Sequence, residues 1–181
     1  MTSEVMGFAP CRAHSGGMSD PAPRAAQLPA YFRNPRLFRG VMNLYPPYWG
    51  TGISVASVSP DWRRVEVAMR QRPWNMNAFG THFGGSLYSM CDPHFALQLV
   101  PLLGPGYTIW DKAAAIEFVK PARGTVTTLF TWSDGELGAI LARTADGGKA
   151  EPSRTLEVTD ASGEAVARLS KVLYVRRKRG A

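Results

Sequence analysis

The stretch from Gly84 to Leu103 is too apolar to lie on a surface, and this limits the architectures open to the chain. As a helix it carries apolar side chains on nearly every face, so it must be covered on most sides. Neighbouring segments supply the cover. Ile53 and Val55, then Val65, Val67 and Met69, alternate with small or polar residues in the runs 52–59 and 64–70. That alternation marks half-buried antiparallel strands, and Ser59-Pro60-Asp61 turns one run into the other. Further strands are expected at 112–119, 125–132, 154–159 and 165–176. The first two are parted by a hairpin-like break from Pro121 to Gly124, the last two by the turn Asp160-Ala-Ser-Gly163. The implied class is α+β, an antiparallel sheet wrapped around a central helix.

Two further helices announce themselves through their ends. Asn34-Pro35 pairs a favoured N-cap with a favoured first helical residue. Leu37, Phe38, Val41, Leu44 and Tyr45 follow at helical spacing until Pro46-Pro47 stops the run. Ser133-Asp-Gly-Glu136 is a capping box, whose Ser and Glu satisfy free N–H groups reciprocally. It opens an inserted helix over 134–145 that Gly147-Gly148 ends. Residues 1–30 are rich in Gly, Pro, Ala and Ser without apolar periodicity and read as a disordered tail, with Met18 a second candidate start. The plan is a tail over 1–30, one domain over 31–176 and a basic end over 177–181.

Composition narrows the function classes. The net charge of +7 comes from the ends: residues 1–40 contribute +3, the run Arg176 to Arg179 adds +4, and residues 41–175 balance twelve basic against twelve acidic side chains. A nucleic-acid binder carries its basic face on the folded body, so no nucleic-acid partner is expected. No run approaches the ~18 apolar residues of a membrane span, and residues 1–17 lack the basic start and apolar run of a secretion signal. A cytoplasmic protein is the default. Two cysteines, Cys11 and Cys91, provide neither a disulfide framework nor metal-ligand spacing. No metal and no cofactor is expected.

The segment leading into the central helix, NAFGTHFGGSLYSMCD from Asn77 to Asp92, holds the candidate chemistry. Gly84 and Gly85 stand where a helix can begin, so unpaired backbone N–H groups could face a ligand and favour developing negative charge. The same glycines also suit a close approach of helix and sheet. Asp92 could act as general base or nucleophile toward an activated carbonyl; because Pro93 follows, it could equally cap a restarted helix. Asn77 could orient water or a carbonyl, or close a turn on its own backbone. His82 and His94 default to surface or satisfied-core histidines. Asp92 lies eight residues beyond Gly84, roughly 12 Å along an ideal helix at ~1.5 Å per residue. If the two serve one small substrate atom, the carboxylate must come from another copy of the chain.

Asn77-Ala-Phe-Gly-Thr-His-Phe-Gly-Gly, followed by Ser-Leu-Tyr-Ser-Met-Cys-Asp92, resembles the signature of hotdog-fold acyl-CoA thioesterases of the phenylacetate-pathway type. That pattern reads Asn, a few residues, His-Gly-Gly, six residues, Asp. Ile116 to Gly124 looks like the strand leading into that family's Pro-Ala-x-Gly turn, and Val172–Arg176 resembles its last strand. Residues 40–178 look most like an uncharacterised bacterial branch sharing Tyr45-Pro-Pro-Tyr48, Thr-His-Phe-Gly-Gly and Tyr107-Thr-Ile-Trp-Asp-Lys112.

The resemblance implies a homodimer with two sites at its interface; dimer against tetramer is left open by the sequence. Asp92 would be base or nucleophile, the Gly84 N–H would hold the thioester oxygen, and Asn77 would help position water or carbonyl. His82, Phe83, Gly85 and Arg123 would line the substrate site, with Lys112 and Lys120 weaker candidates for substrate phosphates. The substrate would be acyl-CoA or another acyl thioester. Phe83 stands where that pattern has histidine, and the inserted helix could narrow the acyl pocket. A non-catalytic acyl-ligand binder therefore remains an alternative, and an enoyl-thioester hydratase or dehydratase using His82 with Asp92 a third.

Overall fold

A computed structural model describes residues 28–180. The expectations for a disordered tail up to residue 27, for Met18 and for Cys11 lie outside the described residues.

The first helix, α1 (Pro35–Asn43), starts where its cap directs: the Asn34 Oδ1 accepts from the N–H groups of Arg36 and Leu37 at 2.9 and 3.3 Å. The end differs from expectation. Pro46-Pro47 does not only stop α1 but opens a second short helix, α2 (Pro46–Thr51), because proline suits a first helical turn as well as it forbids an interior one. Phe38 alone of the α1 stripe is buried; Leu37, Val41 and Leu44 stay exposed. Gly52 ends α2 at φ 71°, and a Cβ there would lie 2.6 Å from the Arg70 carbonyl oxygen.

β1 (Ile53–Val58) and β2 (Arg64–Arg70) pair antiparallel, with Ile53 opposite Met69 and Val58 opposite Val65. The apolar segment that follows does not form one helix. It divides into α3 (Gly84–Cys91) and α4 (His94–Leu103), since Pro93 has no N–H to continue the hydrogen-bond ladder. The alternative role for Asp92 also fails: the N-cap of α4 is Pro93, and no side chain caps that helix. Leu87, Met90, Cys91, Phe95 and Leu99 carry the two helices into the core, where they meet Val65, Val67 and Met69.

The remaining elements are β3 (Tyr107–Phe118), β4 (Thr125–Thr131), α5 (Asp134–Thr144), β5 (Lys149–Ala150), β6 (Ser153–Thr159) and β7 (Ala165–Arg177). The Ser133–Glu136 capping box is formed in both directions. All pairings are antiparallel, in the order β1-β2-β4-β6-β7-β3, with β5 added to β7. β3 and β4 are therefore not hairpin partners. β3 pairs along its length with β7, whereas β4 lies between β2 and β6. The chain crosses the sheet through Val119 to Gly124, where the Val119 and Lys120 N–H groups share the Val166 carbonyl of β7 as the ladder ends. β7 runs one residue into the expected basic end, and Lys178 bonds the Pro105 and Gly106 carbonyls.

β3 is an edge. One flank pairs with β7, the other meets no strand among the described residues, and Ala113, Ala114 and Ala115 are exposed on it. The whole is a hotdog fold, an antiparallel sheet around a central helix broken at Pro93. Among the described residues no helix is long and apolar enough to cross a membrane.

Candidate active site

The loop before α3 is closed by its own side chains. Asn77 spends its whole amide on this loop: Oδ1 accepts from the Phe79 and Thr81 N–H groups, and Nδ2 donates to the Thr81 hydroxyl and the His82 carbonyl. The turn-closing reading of Asn77 is the one the contacts support. Outside staples complete the loop. Gln71 donates to the Gly80 carbonyl at 2.8 Å and accepts from the Gly124 N–H. Arg123 spreads its guanidinium over the Phe79 and Gly80 carbonyls, so it builds the rim of the site.

His82 is buried, its Nε2 2.8 Å from the Gly124 carbonyl and its backbone N–H bonded to Ala122. A carbonyl only accepts, so Nε2 carries the proton; the buried Nδ1 has no partner among the described residues. This is a structural histidine at the floor of a cleft of about 450 Å³, which it shares with Asn77, Gly84, Leu87, Phe118, Val119 and Pro121.

Gly84 and Gly85 open α3, and neither N–H has a protein acceptor among the described residues. The reason for two glycines is packing. A Cβ on Gly84 would lie 2.9 Å from the Phe118 ring, and one on Gly85 would lie 2.5 Å from the Phe83 ring. Both rings are exposed, and Phe83 forms the N-cap of α3 without a side-chain hydrogen bond. Free N–H groups on a helix start, flanked by apolar walls, are suited to receiving an oxyanion.

Asp92 does not line that cleft. It ends α3 on the far side, where a buried lysine that sequence reasoning missed gathers three oxygens. Lys171 Nζ donates to the Asp92 carbonyl, to Asp92 Oδ1 at 3.1 Å and to Asp111 Oδ2 at 2.7 Å. The lysine side chain is 0% exposed and that of Asp92 46%. The Tyr88 hydroxyl reaches the same Asp92 carboxylate. Burial pushes the titration of Asp111 up, and the hydrogen bond from Lys171 offsets part of that. Burial also holds the Tyr88 hydroxyl up, followed by its hydrogen bond to Asp92.

Behind Asp92 sit groups that stay uncharged near neutral pH. Burial drives the Cys91 thiol up to about 12 and the His94 imidazole down to about 3. The His94 Nε2 meets the Tyr48 hydroxyl at 3.0 Å, and burial raises that tyrosine as well. The weaker phosphate candidates are engaged elsewhere: Lys112 pairs with Glu151 at 2.7 Å and Lys120 with Asp160 at 2.8 Å. No residue of α5 lines the cleft, so the inserted helix does not narrow it. Among the described residues no cluster of His, Cys, Asp and Glu could hold a metal ion.

One chain thus brings Asn77, His82 and Gly84 to one cleft, with Phe83, Gly85 and Arg123 at its edge, and leaves Asp92 elsewhere. Residues 34–175 match the model of a family described as a domain of unknown function, DUF4442. The chain belongs to the DUF4442 family. No curated protein matches it. Among solved structures it is similar to PA5026 of Pseudomonas aeruginosa, a protein of unknown function called a probable thioesterase, at TM-score 0.70 and 20% identity over 80% of this chain and 99% of the other. It is also similar to OLEI01261 of Chlorobaculum tepidum, of unknown function, at TM-score 0.64 and 14% identity over 81% and 98%. A third is the Haemophilus influenzae thioesterase HI1161, at TM-score 0.58 and 12% identity over 82% and 95%. At these identities the likeness to this DUF4442 chain is one of fold.

Proposed function

We propose that this DUF4442 protein hydrolyses an acyl thioester, with acyl-CoA as the substrate class, as a homodimer. The observation that carries the reading is the pair of unengaged N–H groups at Gly84 and Gly85, opening onto an apolar cleft. The thioester oxygen would sit on the Gly84 N–H, and the acyl chain would lie along Leu87, Phe118 and Val119. Water attacks the carbonyl carbon, the carbon–sulfur bond breaks, and the thiolate leaves. The Asp92 carboxylate takes the proton from water. Direct attack by the carboxylate, followed by hydrolysis of the anhydride, is the nucleophilic variant of the same step.

Because Asp92 sits at the far end of α3, it serves the cleft of a second copy. The open flank of β3 supports that assembly, since an exposed strand edge invites pairing with another chain. Asn77, His82 and Arg123 act by shaping the loop that presents Gly84. Solved structures of this fold that carry the thioesterase name add support.

The test is release of free thiol from a panel of acyl-CoA esters by wild type and by Asp92→Ala. Loss of about 100-fold or more in kcat is expected, and unchanged turnover removes the mechanism. Phe83 and a His82 whose Nε2 is held by the Gly124 carbonyl favour a second reading, an acyl-CoA binder without hydrolysis. Tight binding by a wild type that releases no thiol would select it. The hydratase reading, which needs His82 beside Asp92, finds no support in one chain, where the two lie at opposite ends of α3.

A further inference from the structure

We propose that Lys171 is the positioning residue for the Asp92 carboxylate, with Asp111 holding Lys171 to that task. The proposal rests on the reading of Asp92 as the reacting group. It starts from an excess of negative charge. Burying an ammonium requires a counter-ion and acceptors for its protons. Asp111 supplies the counter-ion at 2.7 Å, and the main-chain carbonyl of Asp92 supplies another acceptor. A purely structural lysine would need no second carboxylate. Yet Asp92 adds one, and that carboxylate is the half-exposed member of the trio.

The geometry holds the carboxylate while leaving it accessible. Oδ1 is held by Lys171 at 3.1 Å, the Tyr88 hydroxyl bonds the same carboxylate, and the group stays 46% exposed. The carbonyl contact pins the backbone of the same residue to the same ammonium, so the main chain and side chain of Asp92 are fixed together. The helix break is what allows this: Asp92 falls between α3 and α4. Asp111 reaches Lys171 from a strand irregularity between Asp111 and Ala113, and such bulges re-aim side chains. The Tyr107–Lys112 motif thereby acquires a role, since it delivers Asp111.

The titratable groups facing Asp92 are Tyr88 and Cys91 on its own helix, Tyr48 on α2, His94 on α4, Asp111 on β3 and Lys171 on β7. Of these, Lys171 alone pairs with Asp92 as an ion, and Asp111 is the acid tied to the same ammonium.

Two substitutions should then act in opposite directions. Lys171→Met removes a positive neighbour, so the acid limb of the kcat/KM profile against pH moves up. Asp111→Asn removes a negative neighbour while keeping an acceptor for Lys171, so the limb moves down. Freed from its tether, the carboxylate of Lys171→Met should also lose on the order of 100-fold in kcat, with KM changing much less. Opposed shifts are a signature that general loss of packing does not give. If Lys171→Met does not fold, the downward shift in Asp111→Asn decides alone. The panel includes Asp92→Asn: surviving turnover there removes the reading of Asp92 and this inference with it. Loss of turnover in Asp92→Asn, with the limb unmoved in the folded variants or moved in one direction by both, overturns this inference alone.

Discussion

His94 is wholly enclosed, with its ring 5.0 Å from that of Phe130 and its Nε2 on the Tyr48 hydroxyl. Burial first, and the Lys171 charge second, pull its titration from 6.5 to about 3. The folded chain therefore refuses a proton that the unfolded chain accepts near pH 6.5. The stabilising contribution of the neutral ring is complete above that pH and is lost as the pH falls toward 3. At ~1.36 kcal/mol per unit, about 2 kcal/mol should be gone by pH 5. His94→Gln keeps a polar group of similar size without a proton to gain. It should cost about 1–3 kcal/mol at pH 7.5 through lost packing and hydrogen bonding, and then lose about 2 kcal/mol less than wild type on going to pH 5. The assay is urea denaturation of both proteins at pH 7.5 and 5.0, followed by tryptophan fluorescence. Every other titrating group cancels in the difference between the two slopes. A gap that is the same at both pH values would refute the argument that burial holds this imidazole neutral.

Three further outcomes are expected. Lys171→Met should destabilise by about 1–3 kcal/mol near pH 7, because the partly buried Asp111 carboxylate loses its partner; burial already pushes Asp111 up, so it takes up a proton on acidification and the deficit in urea midpoint should shrink. Gly84→Ala should be close to neutral, within about 1 kcal/mol, because the exposed Phe118 ring tip can move aside while a helical glycine is lost, and in a Phe118→Ala background it should be more stabilising, a coupling that a thermal double-mutant cycle reads directly. Ser133→Ala should cost about 1 kcal/mol and speed amide exchange in the first turn of α5, where the capping box now protects it.

Sequence rules succeeded where the physics is local. The Asn34 cap, the Ser133–Glu136 box and the alternation in β1 and β2 each depend on residues within one turn or one strand, and each was legible. Pairing between strands was not. Nothing near Pro121 says that β3 will join β7 and β4 will join β2, because that choice depends on which strands cover the buried helices. The trio around Lys171 shows the same divide. Asp92 and Lys171 lie far apart in sequence, and each alone has an ordinary explanation. A trace of the signal was present even so: along β7, Leu169, Lys171, Leu173 and Val175 all face inward, so an inward lysine in an apolar row asks for a buried acid. At Asn77 the commonplace reading won, since its polar atoms close the loop and leave the backbone N–H groups of Gly84 and Gly85 to meet a ligand.

The interruption at Pro93 also separates two kinds of tolerance along what would otherwise be one rod. α4 is packed through His94, Phe95, Gln98 and Leu99, and changes there will register as loss of folding. α3 begins at a half-buried Gly84 and an exposed Gly85 and ends at a half-exposed carboxylate, so its two ends can vary with less cost to the core. A lineage, or an engineer, can therefore retune the ligand side of this protein by rewriting the two ends of the front segment while its middle and the rear segment keep the sheet in place. A continuous helix would have passed every such change straight into the core.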